Sequence, residues 1–302
     1  MIDDVDENNE VLKLTNGYLT FKLTGHADRT DLTNYLVDMN SSHNCELMYV
    51  HTYTKSATDP DLLPLFYPHD FTTNWGEMKE IMEDSGISII DFEEITEQQK
   101  IDKYSLFFKT DHHWTPQSGL WAAENICAEI NQSYGWDLDT DLFDISDYNI
   151  HHYPGAFLGS EGKRVGALYA GVDDFDVITP KFETNLTVVM EDIDFNVTGN
   201  FAQTFIAENN ITPDNLLNKE TTAYMTYMQG NHPLVRITNH NITDGKTALL
   251  VMNSYGCVVA PYLALAFQQL DCIDIRGYSG SVEEYIETFS PDIVIYSIDN
   301  HQ

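Results

Sequence analysis

The chain carries an acid, two histidines and a tryptophan side by side, in the segment Thr110-Asp111-His112-His113-Trp114 just before a predicted helix. Asp111 and His113 are two residues apart, and alternate side chains point the same way in an extended segment. Asp111 can therefore reach the His113 ring while His112 points elsewhere. A carboxylate that holds an imidazole in one tautomer is half of a catalytic triad, and the missing half is a nucleophile.

The same segment has two other interpretations. Histidines are common beside helix N-termini and in cores where their ring nitrogens have partners. An acid and two histidines can also bind zinc, although adjacent ligands are unusual and no third ligand follows at an obvious spacing.

A candidate nucleophile, Ser254, follows the apolar run 247–252, which is typical of a strand buried on both faces. In an open α/β sheet, ligands bind at the carboxyl ends of the strands. A tight turn there, permitted by Gly256, exposes the hydroxyl and directs the N–H groups of Ser254 and Tyr255 toward an oxyanion. The alternative is a serine that caps the next helix. Spacing alone does not show whether the fold brings Ser254 to the Asp111–His113 pair.

Strands and helices alternate on both sides of these residues. Strands are predicted at 46–53, 87–92, 247–252, 272–276 and 292–298, and helices at 31–39, 74–85, 116–134, 258–270 and 282–289. This order predicts an α/β fold in which helices cover the faces of a parallel sheet.

The alternation is interrupted in the middle of the chain, where short strands and turns dominate, with strands predicted at 155–159, 166–169 and 186–190. We therefore divide the chain into residues 1–135 as the first part of the α/β domain, 136–241 as a β-rich insertion or subdomain, and 242–302 as the second part of the domain.

The net charge of the chain argues against several classes of binding partner. Fifteen basic residues against 48 acidic ones give a formal net charge of −33. Such a surface repels nucleic acid, anionic membrane headgroups and anionic polymers. The charge is also explained by solubility or by a saline or extracellular habitat.

The sequence has no apolar run long enough to span a membrane. Its acidic start, at residues 3–6, lacks the basic and apolar regions of a signal peptide, so the protein is either cytoplasmic or lacks an upstream export segment. The four cysteines are widely spaced and contain no Cys-x-x-Cys, so four buried thiols are expected.

Thr110-Asp111-His112-His113-Trp114 resembles the signature of the DHHW family and is similar to the Thr-Asp-x-His-Trp motif of the alginate O-acetylation proteins. Both groups belong to the SGNH-hydrolase-like superfamily, so the resemblance implies a three-layer α/β/α fold, SGNH-like and flavodoxin-like, with a β-rich insertion. The serine block 253–255, the Phe-Leu-Gly-Ser segment within 155–166 and the Gly-Asn-His-Pro segment 230–233 resemble further family blocks in the expected order, over roughly residues 45–300.

The resemblance implies Ser254 as nucleophile, His113 as general base and Asp111 as its orienting acid. An acyl-serine would be resolved by a sugar hydroxyl in an O-acetyltransferase or by water in an acetylesterase, without a metal or organic cofactor. Further candidates for oxyanion or substrate contacts are Tyr255, Gly256, Asn231, His232, Arg276, His112 and Trp114, and Asn231 is equally interpreted as a turn residue.

The resemblance also implies an exported bacterial protein at the cell envelope, a polysaccharide or acyl-sugar substrate and a membrane-bound acyl-donor partner. The net charge favours a neutral or amino-sugar glycan over alginate. Asn253 replaces the aspartate that usually precedes the serine. This departure favours the alternative, a non-catalytic carbohydrate-binding or scaffolding protein with a degenerate site.

Overall fold

The computed structural model describes residues 11–23, 25–55, 62–64, 71–218 and 221–298. The acidic start and most of residues 54–68 lie outside these residues. Among the helices of the described residues, none has the length and apolar character needed to cross a membrane.

The strands are numbered in chain order. They are β1 (Val11–Lys13), β2 (Leu19–Phe21), β3 (His26–Ala27), β4 (Glu46–His51), β5 (Thr72–Thr73), β6 (Ser88–Asp91), β7 (Tyr148–Phe157), β8 (Asp173–Pro180), β9 (Leu186–Met190), β10 (Phe195–Gly199), β11 (Leu234–Asn239), β12 (Thr247–Met252), β13 (Gln269–Asp274) and β14 (Ile293–Ser297).

The α-helices are numbered in the same way. They are α1 (Thr30–Ser42), α2 (Trp75–Asp84), α3 (Phe92–Gln99), α4 (Pro116–Tyr134), α5 (Ser160–Val165), α6 (Ala167–Ala170), α7 (Phe201–Phe205), α8 (Gly256–Leu263) and α9 (Val282–Phe289). Short 3₁₀ helices connect several of these elements.

The central sheet has eight strands in the order β10-β9-β11-β13-β12-β14-β4-β6. The strands from β13 to β6 run parallel to their neighbours, which confirms the predicted α/β core. The sheet is mixed rather than wholly parallel, because β11, β9 and β10 add to it in antiparallel pairs. The turn between β9 and β10 is short, and a short connection can only reverse the chain.

The parallel strands of the central sheet are covered by helices on both faces. In β12, Ala248 and Leu250 face the layer of α4 and α8, whereas Leu249 and Val251 face the layer of α1, α2 and α9. Side chains alternate along a strand, so a strand covered on both sides reads as a continuous apolar run.

The segment predicted as an insertion has two parts in the structure. Its strands β9, β10 and β11 extend the central sheet, whereas β7 and β8 form a separate antiparallel pair. The boundaries at 135/136 and 241/242 stay predictions.

The predicted strand at 166–169 is wrong. The chain makes a single helical turn there, α6, between Gly166 and Gly171, whose φ angles are 87° and 82°. These left-handed glycines begin and end the turn, and an extended strand would need neither.

Helix α8 is shorter than predicted and β13 begins earlier. The side-chain amide of Asn239 donates to the carbonyls of Ala264 and Leu265, at 3.2 and 3.1 Å, and so caps the end of the helix. The chain then enters β13 at Gln269, which pairs with Thr247.

Candidate active site

The Asp-His-His-Trp segment is a closed loop rather than an extended strand, which corrects the geometry assumed from the sequence. Phe107 and Trp114 form an antiparallel bridge at its base. Within the loop, the Asp111 carboxylate accepts the backbone N–H of His113 at 3.0 Å. This Asx-turn brings the carboxylate against the His113 ring.

His113 links Asp111 to Ser254. Its Nδ1 is hydrogen-bonded to Asp111 Oδ1, and its Nε2 lies 2.8 Å from Ser254 Oγ, although the two residues are 141 positions apart in the chain. A tautomer in which Nδ1–H donates to the carboxylate leaves Nε2 to accept the serine hydroxyl.

Two packed helices hold the halves of this arrangement together. α4 begins after the His113 loop, where Pro116 occupies its first turn and the Thr115 side chain accepts the N–H of Ser118 at 3.3 Å. α8 begins after Ser254. Gly119 of α4 lies so close to the Val258 carbonyl of α8 that a methyl group would overlap it.

The second oxygen of Asp111 is held by α5. The N–H of Ser160 donates to Asp111 Oδ2 at 2.5 Å, and a side chain at Gly159 would overlap the Asp111 carboxylate. Burial alone would raise the pKa of the Asp111 carboxyl. The charges of His113 and His112 and the hydrogen bonds from His113 and Ser160 outweigh burial and hold this pKa well below its usual value.

Thr110 anchors the loop to β8. Its hydroxyl and its N–H both donate to Asp173 Oδ2, at 2.6 and 2.8 Å, and the hydroxyl accepts the N–H of Gly159 at 2.9 Å. Thr110 therefore ties together the loop, β8 and the start of α5.

His112 points away from Ser254, as expected, and contacts α5. Its Nδ1 lies 3.0 Å from Ser160 Oγ, and its carbonyl accepts the Tyr255 hydroxyl at 2.7 Å. Burial, followed by the charge of His113, lowers the pKa of His112 to about 3, so its ring is neutral at neutral pH.

Tyr224 covers the His113 ring and was not predicted from the sequence as a site residue. The two rings are stacked with centroids 4.1 Å apart, and the Tyr224 hydroxyl donates to the Ser254 carbonyl at 2.9 Å. Burial raises the pKa of Tyr224 well above its ordinary value, so the hydroxyl stays a donor. Ser160 and Gly159 were also missed as site residues, although the Phe-Leu-Gly-Ser block contains both.

Two of the expected oxyanion donors are already hydrogen-bonded within the turn at Ser254. The N–H of Tyr255 donates to Asn253 Oδ1 at 3.1 Å, and the N–H of Gly256 donates to the Asn253 carbonyl at 3.0 Å. An aspartate oxygen would accept the first bond equally well, so Asn253 preserves the turn. The N–H of Ser254 makes no hydrogen bond to another described residue.

Asn231 lies beside this turn. Its Oδ1 is 3.0 Å from Cys257 Sγ. Burial raises the pKa of the Cys257 thiol to about 12, so the thiol is protonated and donates to the amide oxygen. The amide nitrogen of Asn231 is left to point elsewhere, and the residue is exposed.

The other candidates lie in different surroundings. Trp114 is fully buried and packs edge-on against Phe92, so it belongs to the core and does not contact substrate. His232 is buried, with Nδ1 2.8 Å from Asp192. Arg276 is partly exposed, and its guanidinium and its backbone N–H donate to the Asp274 carboxylate, at the carboxyl end of the strand next to β12.

Asp111, His112 and His113 also form the one group of potential metal ligands found among the described residues. One ligand atom from each lies within 4.8 Å of the others. A metal there would have to displace the bonds of His113 to Asp111 or Ser254, so the donors present fit a hydrogen-bonded relay better than an ion.

Comparison with known proteins agrees with this fold. Residues 24–163, which include Asp111, His113 and Ser160, match the family model described as the SGNH hydrolase-like domain of the acetyltransferase AlgX. No curated protein matches the sequence.

Solved structures of two proteins are among those that resemble most of the chain. A DHHW family protein from Eubacterium siraeum is 18% identical with a TM-score of 0.64, over 95% of this chain and 92% of that one. PatB1 from Bacillus cereus is 18% identical with a TM-score of 0.70, over 96% and 95% of the two chains. The same protein has also been solved with a sulfonyl adduct, and that structure is 19% identical with a TM-score of 0.69, over 96% of this chain and 94% of the other.

At this level of identity the neighbours establish the fold. The family match covers the His113 loop but less than half of the chain, and it agrees with the SGNH-hydrolase-like resemblance that the Asp-His-His-Trp motif predicted.

Proposed function

We propose that the chain is a serine-dependent O-acetyltransferase or acetylesterase that acts on a polysaccharide through an acyl-serine at Ser254. The observation that carries this proposal is the 2.8 Å contact between Ser254 Oγ and His113 Nε2, with Asp111 on the other ring nitrogen. The match to the domain of an acetyltransferase supports acetyl as the transferred group.

In the first half-reaction, His113 Nε2 takes the Ser254 proton while Oγ attacks the carbonyl carbon of an acetyl donor. The donor oxygen leaves with the proton from the imidazolium, and the acetyl group is left on Oγ. Asp111, ionised because its pKa is low, stabilises the transient imidazolium. General-base catalysis of this kind contributes roughly 10²–10⁴-fold.

In the second half-reaction, a sugar hydroxyl or water attacks the acetyl carbon. His113 takes the proton of the attacking oxygen and returns a proton to Ser254 Oγ as the ester breaks. The product is an acetylated sugar in the first case and acetate in the second.

The oxyanion of each tetrahedral intermediate needs donors. The N–H of Ser254 is the backbone donor best suited to this role, because the next two N–H groups bind Asn253. The amide nitrogen of Asn231 is the proposed second donor. Each such donor is worth roughly 10²–10³-fold in rate.

The proposed acceptor is a neutral or amino-sugar glycan of the cell surface, since a net charge of −33 disfavours a polyanion. The proposed acetyl donor is presented by a membrane-bound partner, and the proposed location is the cell envelope.

The test is covalent labelling with a fluorophosphonate and with a sulfonyl fluoride, the latter chosen because PatB1 carries a sulfonyl adduct. We expect stoichiometric labelling of the wild type, mapped by peptide mass spectrometry to Ser254, and no labelling of Ser254→Ala or His113→Ala. Circular dichroism checks that the variants fold.

A folded wild type that resists both reagents would contradict the proposal and favour a carbohydrate-binding protein on a degenerate site. If labelling occurs, acetyl release from p-nitrophenyl acetate, measured with and without an oligosaccharide acceptor, separates esterase from transferase.

A further inference from the structure

A buried ion pair lies beside the backbone of Asp111. Lys55 Nζ is 2.8 Å from Glu161 Oε2, and each side chain is 1% exposed. Lys55 follows β4, and Glu161 lies in the first turn of α5. The proposed mechanism uses neither residue.

The Lys55 ammonium binds the site loop directly. Besides Glu161, it donates to the carbonyl of Asp111 at 2.5 Å and to the carbonyl of Phe108 at 3.1 Å. An ammonium has three N–H donors, so these three acceptors use all of them.

Glu161 connects the same ammonium to α5. The residue before it, Ser160, donates its N–H to Asp111 Oδ2 and holds His112 through its hydroxyl. Asp111 is therefore fixed at its main chain by Lys55 and at its carboxylate by Ser160, and the Lys55–Glu161 bond joins the two attachments.

We propose that Lys55 and Glu161 are positioning residues, which lock the Asp111 backbone and α5 together so that the Asp111 carboxylate stays aligned with His113. This inference rests on the proposed function, because it deepens the role of the same site. It predicts that the pair is needed for the Asp111–His113 hydrogen bond, and not only for folding.

The negative charges of Glu161 and Asp111 explain why a lysine is required at position 55. Glu161 and Asp111 are two buried carboxylates close to each other, and burial raises the pKa of Glu161 to about 7 although Lys55 opposes the shift. Without the ammonium, the two carboxylates would repel each other, and the carbonyl of the buried Asp111 would lose a donor.

The experiment must separate positioning from stability. Removing one partner of a buried ion pair leaves an uncompensated charge, whereas replacing both by apolar residues is often neutral for stability. We therefore compare Lys55→Met with the double variant Lys55→Met/Glu161→Leu. The matched control is Lys246→Met, which breaks the partly exposed Lys246–Asp292 pair at the opposite end of β12.

We expect Lys55→Met to melt at a lower temperature and the double variant to regain most of that loss. Labelling of Ser254 by the fluorophosphonate should nevertheless stay about 10–100-fold slower in the double variant, because a misplacement of about 1 Å can cost 10²-fold. The loss should fall on kcat for p-nitrophenyl acetate rather than on KM, and Lys246→Met should label at the wild-type rate.

A second readout does not depend on catalysis. The Nδ1 proton of His113, held by Asp111, should give a low-field proton resonance in ¹⁵N-histidine-labelled protein that disappears in Asp111→Asn. We expect it to shift and broaden in the double variant, and to persist in Lys246→Met.

The outcomes are distinguishable. A double variant that labels at the wild-type rate and keeps the resonance overturns the inference and leaves the proposed function intact. A wild type that is never labelled overturns the proposed function, and the resonance still tests the inference.

If the double variant does not fold, Glu161→Gln replaces it, because Gln offers Lys55 an uncharged acceptor. Loss of the resonance in Lys55→Met together with its retention in Glu161→Gln would then support Lys55 as the positioning group, whereas retention in both would overturn it.

Discussion

Two aspartate–histidine pairs in this molecule share one geometry and differ in what lies beyond the ring. In both, a carboxylate holds Nδ1, for Asp111 with His113 and for Asp192 with His232. His113 Nε2 reaches Ser254, whereas His232 Nε2 is buried with no hydrogen-bond partner among the described residues. The proposed active site is therefore distinguished by the serine at the strand end, since both pairs have the carboxylate and the imidazole.

The two aspartates of these pairs differ as well. The Asp111 side chain is 4% exposed and receives backbone N–H groups from two segments, whereas the Asp192 side chain is 35% exposed and lies in the turn between β9 and β10. The first carboxylate is fixed from several directions, and the second joins a surface turn to the start of β11.

The largest difference should appear when the acids are replaced. Asp111→Asn keeps the shape but favours the wrong His113 tautomer, and we expect Ser254 labelling to fall by about 10⁴-fold, as in serine triads generally. Asp192→Asn should label at the wild-type rate. Equal losses in both variants, with both folded by circular dichroism, would show that the comparison is mistaken.

Glycine contacts beside the two pairs offer a smaller test. Gly159 has an ordinary φ of −74°, but a methyl group there would overlap Asp111, whereas a methyl group on Gly277 would only touch Pro233 next to His232, at 3.4 Å. Gly159→Ala should therefore slow labelling by roughly 10²-fold through displacement of the carboxylate.

Gly277→Ala is the matched control and should leave the labelling rate unchanged. A Gly159→Ala variant that labels normally would mean that Ser160 does not hold Asp111 in solution.

The smallest expected effect concerns stability in acid. The folded pKa of His112 is about 3, below its usual value of 6.5, so the folded state binds fewer protons than the unfolded state. This contribution to the free energy of unfolding is complete above pH 6.5 and is lost as the pH falls toward 3.

Urea denaturation between these pH values should show that His112→Gln loses less stability on acidification than the wild type. The exposed His152 should behave in the opposite sense. Its hydrogen bond to Asp176 raises its pKa, so its small contribution is lost as the pH rises. If acid affects the wild type and His112→Gln alike, His112 is already protonated or already solvated in the folded protein.

The parts of the molecule that follow local patterns were predictable. The helix after the motif begins and ends as predicted, because Thr115 and Pro116 mark its start and Gly135, with a φ of 67°, marks its end. The strand before Ser254 was also correct, since a run of apolar residues buried on both faces has few other solutions.

The contacts that complete the site were not predictable, because they join distant segments. Tyr224, Lys55 and the adjacent pair Ser160 and Glu161 come from three separate parts of the chain, and the sequence around Tyr224 and Lys55 does not indicate that they converge on the same loop. The extended geometry assumed for Asp111 and His113 was wrong. The Asp111 carboxylate accepts the backbone N–H of His113, and this local hydrogen bond folds the segment into an Asx-turn.

The position of β14 has a consequence for how the protein is made. β14 is the last described strand in the chain, yet it lies between β12 and β4 in the sheet. While the ribosome is still synthesising that strand, the β4–β6 pair and the β12–β13 pair have no connection through the sheet, and both present open edges that can pair wrongly. Ser254 and His113 therefore meet on a complete parallel core only once β14 has been synthesised.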